Sequence, residues 1–149
     1  MFQRFIAFFI YRITLTPYIW YHKGDFSFTR LTDFKTEAVV LKADLLNALK
    51  ISNIFSDKFN QVTLTLKPKE KFFELYSKNS DVGENRTNLD AALKGEPIEV
   101  NINYKYFLDC FQSISSDSII LNFNQMNRPM VVKGVSDNSF LYLIMPMNR

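Results

Sequence analysis

One order of elements occurs twice in this chain, and that repetition constrains the fold more than any single stretch does. Residues 37–41 read as a strand, with Ala38, Val39, Val40 and Leu41 apolar. A helix follows, with Asp44 as its candidate N-cap, or a start one or two residues earlier at Ala43 or Lys42. Leu45, Leu46, Leu49 and Asn53 line one face of that helix, while Asn47, Lys50 and Lys58 turn away from it. Ser56-Asp57-Lys58 ends it. Residues 62–66 and 72–76 alternate as strands around the turn Lys67-Pro68-Lys69-Glu70, and after a loop over 78–84 a further strand spans 87–93 and stops at Gly95. The order then recurs. Residues 98–102 form a strand, and Asn103 caps a helix over 104–114. Phe107, Leu108, Phe111 and Ile114 make the buried stripe of this helix, and Lys105, Asp109 and Gln112 face outward. Strands over 118–123, 130–135 and 140–145 close the chain.

Strand, helix and three strands, twice, can pair about a pseudo-twofold axis with both helices on one face of a continuous sheet surface. The expectation is an α+β domain in two layers. A length of 149 residues suits one domain with an appendage. Phe supplies 15 residues, so the core should be Phe-rich. The formal net charge of +3 permits contact with a polyanion without arguing for one. A single cysteine excludes an internal disulfide, and with a single histidine it excludes His/Cys metal clusters and argues against a Cys–His catalytic pair. No metal or other cofactor is expected.

The ends are less regular. Residues 1–11 open like a signal or an anchor, but Arg12 interrupts a run that falls short of the roughly 20 apolar residues a spanning helix needs. The stretch from Arg12 to Pro17 also lacks a small-residue cleavage site. Residues 1–23 are rich in β-formers and read as one or two strands, or as sequence that has lost its original context. Residues 24–31 alternate after Gly24 as a half-buried strand. At the other end, residues 140–149 carry no charge before Arg149, and the strand there stops at Pro146, with a polarizable Met on each side. Two readings stay open for that tail: a packed final strand, or a strand whose Met side chains line a groove.

Several stretches resemble, in order, the third domain of the bacterial sliding clamp, the β subunit of DNA polymerase III. They are Asp44-Leu45-Leu46-Asn47-Ala48-Leu49, Ile54-Phe55-Ser56-Asp57-Lys58-Phe59-Asn60-Gln61-Val62, Gly95-Glu96-Pro97-Ile98-Glu99, Tyr104-Lys105-Tyr106-Phe107-Leu108-Asp109 and Tyr142-Leu143-Ile144-Met145-Pro146-Met147. The resemblance covers residues 37–149 and implies the DNA-clamp fold. Residues 24–31 resemble the closing strand of the clamp's middle domain, and residues 1–36 otherwise form an atypical N-terminal segment. The expectation is a truncated or fragmentary clamp that supplies about half of the family's peptide groove and one ring-interface surface.

What the resemblance implies is a non-catalytic processivity factor of DNA replication, cytoplasmic and ring-forming, with polymerase activity only by association. Its partners would be duplex DNA, bound without regard to sequence, the DNA polymerase III α and clamp-loader subunits, other polymerases and repair factors carrying clamp-binding peptides, and further copies of itself. Carried over residue by residue, the DNA-facing set is Asn47, Lys50, Lys58, Lys105 and Gln112. The peptide groove maps onto Asn103, Tyr106, Pro129, Leu143, Met145, Pro146 and Met147. The ring interface maps onto Ile54, Phe55, Asp81 and Glu84, beside an edge strand where Arg86 departs from the acid-rich family pattern. The competing classes are a non-functional clamp fragment, a membrane-tethered β-rich protein using residues 1–21, and an enzyme. For the last, Asp57, Asp81, Glu84 and Asp90 offer carboxylates with neither a phosphate cradle nor nucleophile–base spacing.

Overall fold

A computed structural model describes residues 9–11, 34–137 and 140–147. The strand expected over 24–31 lies outside the described residues, as does most of 1–23. The elements run β1 (Phe9–Tyr11), β2 (Thr36–Leu41), α1 (Lys42–Ile54), β3 (Gln61–Lys67), a single 3₁₀ turn (Pro68–Glu70), β4 (Phe72–Asn79), β5 (Gly83–Asn88), β6 (Ala91–Gly95), β7 (Ile98–Asn103), α2 (Tyr104–Phe111), β8 (Ser118–Phe123), β9 (Met130–Gly134) and β10 (Phe140–Ile144). Hydrogen bonding divides the strands into a six-stranded sheet, β1-β10-β9-β8-β2-β6, and a four-stranded sheet, β5-β4-β3-β7.

The expected duplication is present, and its two copies are interlocked. Strands β3, β4 and β5 of the first repeat take β7 from the second as their neighbour, with Leu64 opposite Val100. Strands β8, β9 and β10 of the second repeat take β2 from the first, with Ala38 opposite Leu121. The helices lie against each other, α1 over β4 and β5 and α2 over β10. Buried positions in α1 are Leu45, Ala48, Leu49 and Ser52, the spacing that puts one stripe against a core. In α2 they are Tyr104, Phe107, Cys110 and Phe111. The Phe107 and Phe111 rings stack obliquely at 5.9 Å between centroids. The Tyr104 hydroxyl donates to the Asn53 side-chain oxygen and ties the start of α2 to the end of α1.

Four local expectations change. Asp44 does not cap α1: Leu41 occupies the cap position in an extended conformation without a side-chain bond, and Asp44 falls in the first turn. The Lys42 N–H is satisfied instead by the Asp117 carbonyl at 2.8 Å, so the adjoining sheet does the capping. The strand expected over 87–93 is two strands in two different sheets. Leu89 is buried between them and its N–H donates to the Phe73 carbonyl at 2.8 Å, so the chain crosses there from one sheet edge to the other. Thr87, Leu89, Ala91 and Leu93 keep a period of two through the crossing, so alternation does not reveal it. Helix α2 ends at Phe111, and Ser113 and Ile114 follow in turns onto the Cys110 and Phe111 carbonyls. Lys58 lies in the loop after α1 rather than on it.

Gly95 has to be glycine. Its φ is +100°, and a Cβ there would stand 1.8 Å from the Lys35 carbonyl oxygen. The same close approach lets the Glu96 N–H reach that carbonyl at 3.1 Å.

Two buried acids in the core resist ionisation. Burial, with lesser help from Asp109, pushes the Cys110 thiol up to about 12 from an ordinary 9.0. Burial likewise raises Tyr142 to about 12 from 10.0. Both groups release protons more readily when unfolded, so stability is complete below the unfolded values and declines as pH climbs from about 9 toward 12. Chemical denaturation across that range should show the decline, and Cys110→Ala should flatten its lower part.

Candidate functional site

The exposed side of the helix pair carries Asn47 and Lys50 from α1, Lys105 from α2, and Gln112 just beyond it. Asp44 and Asp109 are exposed on the same helices, so the surface is close to neutral rather than strongly basic. Lys58 stands apart from this group, with its ammonium 5.1 Å from the Phe59 ring centroid. Lys42, which the sequence left unassigned, bridges the helices: its ammonium donates to the Ile114 carbonyl past the end of α2.

The tail forms a second region. From Leu141 to Met147 the residues alternate, with Leu141, Leu143, Met145 and Met147 half-buried and Tyr142, Ile144 and Pro146 buried. One face of the tail is thus packed into the core, as a final strand would be, and the other is half open. The Met147 N–H donates to the Asn101 carbonyl at 2.7 Å, which carries the tail of the six-stranded sheet onto the edge of the four-stranded one. Asn103, two residues along β7, caps α2 by accepting from the Lys105 N–H at 3.0 Å, and its amide donates to the Phe59 carbonyl at 3.4 Å. Ile144 pairs with Met130, so Met145 comes next to Pro129, the residue before β9. Asn103 thus ends β7, Pro129 precedes β9, and Met145 and Met147 follow β10. Tyr106 is half-buried in α2, and Leu143 is half-buried on the strand face opposite buried Tyr142. Pro146 is the exception: it is buried and turned inward, so it anchors the tail and does not line a groove.

The third region is a sheet edge. Strand β5 is the outermost strand of the four-stranded sheet. Ile54 is 63% exposed at the end of α1, and Phe55 is half-buried beside it. The Asn79 amide donates to the Ser56 carbonyl at 2.9 Å and holds the β4–β5 hairpin tip against that helix end. Asp81 is exposed in the tip, and Glu84 is exposed in β5, where it accepts a bond from the Tyr76 hydroxyl at 2.8 Å. That bond is the main cause of a raised Tyr76 pKa. Arg86, the departure from the acidic pattern, is held by Glu74 at 3.1 Å and lies over the Tyr76 ring at 4.3 Å. Asp90 is outside the edge strand, in the crossing to β6. The Tyr76, Glu84 and Arg86 group was not foreseen. Its sequence signal is charged and aromatic residues two apart on facing strands, which is legible only once the hairpin register is known.

Among the described residues no three His, Cys, Asp or Glu side chains group as a metal site, and no helix is long and apolar enough to cross a membrane.

The chain is similar to known proteins. The family described as DNA polymerase III beta subunit, C-terminal domain, matches residues 32–148. The chain is 28% identical over 92 residues to the beta sliding clamp of Vibrio cholerae, covering 62% of this chain and 25% of that protein. It is 26% identical over 116 residues to the beta sliding clamp of Synechococcus elongatus, covering 77% and 31%. The crystal structure of the DNA polymerase III beta subunit of Thermotoga maritima superposes with a TM-score of 0.74 at 25% identity, over 79% of this chain and 32% of that one. The chain therefore spans a quarter to a third of the length of these proteins.

The Asn103 side chain is the cap that starts α2. Asn103→Ala should destabilise the protein by about 1 kcal/mol in urea denaturation, and Asn103→Asp, which keeps the acceptor, should largely restore it.

Proposed function

From a chain that belongs to the family of the C-terminal domain of the DNA polymerase III β subunit, we infer a non-catalytic role in DNA replication as a wall segment of a sliding clamp. The observation that supports this best is the pair of helices lying side by side with Asn47, Lys50, Lys105 and Gln112 exposed. A clamp has to stay near duplex DNA while passing over every sequence. Lysines and amides on a helical surface serve that need, because phosphate contacts are the same at every step and carry no sequence information. Asp44 and Asp109 keep the surface from gripping, since strong net positive charge would hold the duplex in place.

The corner around Asn103, Tyr106, Pro129, Leu143, Met145 and Met147 is read as this domain's share of a groove for short peptides from DNA polymerase III α, clamp-loader subunits, other polymerases and repair factors. Half-buried Met and Leu side chains beside a polar Asn and Tyr rim suit an aromatic or leucine anchor. The face around Ile54, Phe55, Asp81 and Glu84 is read as the surface through which the ring closes. The setting is cytoplasmic.

Duplex DNA labelled with a fluorophore should bind this chain at low salt, with anisotropy falling as salt rises. Lys50→Glu combined with Lys105→Glu should remove most of that binding and lower the log–log salt slope by about 2, without shifting the melting temperature, because both side chains are exposed. Unchanged binding would overturn the helical surface as the DNA-facing wall.

A labelled peptide with leucine and phenylalanine anchors should bind at the tail corner. Met147→Asp should weaken it about tenfold or more, because a charge would then enter an apolar anchor site. Equal affinity for the two proteins would remove the groove assignment.

A further inference from the structure

The six-stranded sheet is closed to water on the face turned away from the helices. Alternation along β8 and β9 sends Ile119, Leu121, Met130 and Val132 into the core with the helices, and turns Ile120, Asn122, Val131 and Lys133 the other way. Asn122 and Val131 face each other across these two strands in mid-sheet. A sheet face with nothing on it keeps such side chains partly in water. Val131 is nevertheless 1% exposed and Asn122 3%, and Val131 is not among the residues of the core cluster. The Asn122 side-chain oxygen is buried there with no hydrogen-bond partner among the described residues, so a layer above it is called on to bring a donor. The closure has a shape. Leu143 on β10, Lys133 on β9, Ile120 on β8 and Val39 on β2 are half-buried on this face, whereas Ala92 and Lys94 on β6 are exposed. It is deepest over β8 and β9 and ends before β6.

The chain's own connection has to take that course. β1 lies at one edge of the sheet, and the next strand in the chain, β2, stands beyond β10, β9 and β8. Four strand spacings are roughly 19 Å, well within the reach of residues 12–33. The inward face is filled by α1, α2 and the core, which leaves the outward face for a crossing. A path around the strand ends would leave Asn122 and Val131 open to water. The exposure of β6 agrees, because β6 lies past the point at which the crossing reaches β2. Composition agrees as well: Leu15, Ile19, Trp20 and Tyr21 offer apolar area to Ile120, Val39 and Val131, and backbone N–H groups offer donors to Asn122.

We propose that residues 12–33 dock on the outward face of the six-stranded sheet as a layer over β8 and β9. The aromatic stretch that makes the start of the chain resemble an anchor is then engaged by the protein's own sheet and is not offered to a membrane.

Trp20 is the single tryptophan of the chain, so its fluorescence reads this segment alone. In the full chain its emission should be blue-shifted, shielded from acrylamide and independent of protein concentration. Ile120→Asp places a charge under the layer. It should shift the emission to the red, raise acrylamide quenching several-fold and speed trypsin cleavage after Lys23 and Arg30, with the far-ultraviolet circular dichroism of the folded chain retained. Ile120→Val should change none of these, and neither should Ala92→Asp, which puts the same charge on the exposed part of the same face. A water-exposed Trp20 in the wild type overturns the docking, and that reading needs no variant. Emission that Ile120→Asp leaves unmoved, or that Ala92→Asp moves equally, overturns it too. A blue shift that grows with protein concentration gives the face to a second copy, and one that grows on adding phosphatidylglycerol vesicles gives the segment to a membrane; either result also sinks the intrachain layer.

Discussion

Strand exchange between the repeats is the constraint on which the rest depends. Neither repeat completes its own sheet: β7 closes the first repeat's strands and β2 joins the second's. Each lent strand contributes a full ladder, six residue pairs between β2 and β8 and six between β3 and β7. Every strand used in this way is followed immediately by its helix, so placing the strand also places the helix. That is why α1 and α2 meet side by side, with the Tyr104 hydroxyl donating to the Asn53 side chain at their junction. The helical wall is a consequence of the exchange, and its polar face needs no special device to be presented outward.

The same exchange leaves edges, and the chain treats them unequally. The β7 edge receives the tail through the Met147 bond to Asn101, and β10 is met by β1. Among the described residues no strand meets the outer edge of β5, which carries a group of tyrosine, glutamate and arginine. Natural sheets usually blunt such edges with charge. Here the charges are of both signs and two residues apart, and both are held within the chain, Glu84 by Tyr76 and Arg86 by Glu74.

How much of this could be read beforehand depended on the kind of signal. Leu45, Leu49, Phe107 and Phe111 disclosed both helices and their buried faces, because helical periodicity is a local property. Asn103 disclosed its own role, since an amide before an apolar helix has few other uses at that position. The crossing at Leu89 was hidden because a strand that changes sheets keeps the alternation of one that does not. The start of α1 falls at Lys42, the earliest of the starts the sequence left open, and Asp44 makes no cap because the carbonyl that satisfies the Lys42 N–H belongs to Asp117, far along the chain. Met145 and Pro129, carried over by resemblance, come side by side because the Ile144–Met130 pair of the adjoining ladder brings them there. Lys58 stands apart, because a loop residue has no ladder to place it. Pro146 reversed its side because the alternation of the strand continues through the tail.

The bond from Met147 to Asn101 joins the last strand of one repeat to the first strand of that same repeat, across the seam between two sheets. The joint works as a keystone between the two sheets, so a change a few atoms away is felt on both sides of the seam at once.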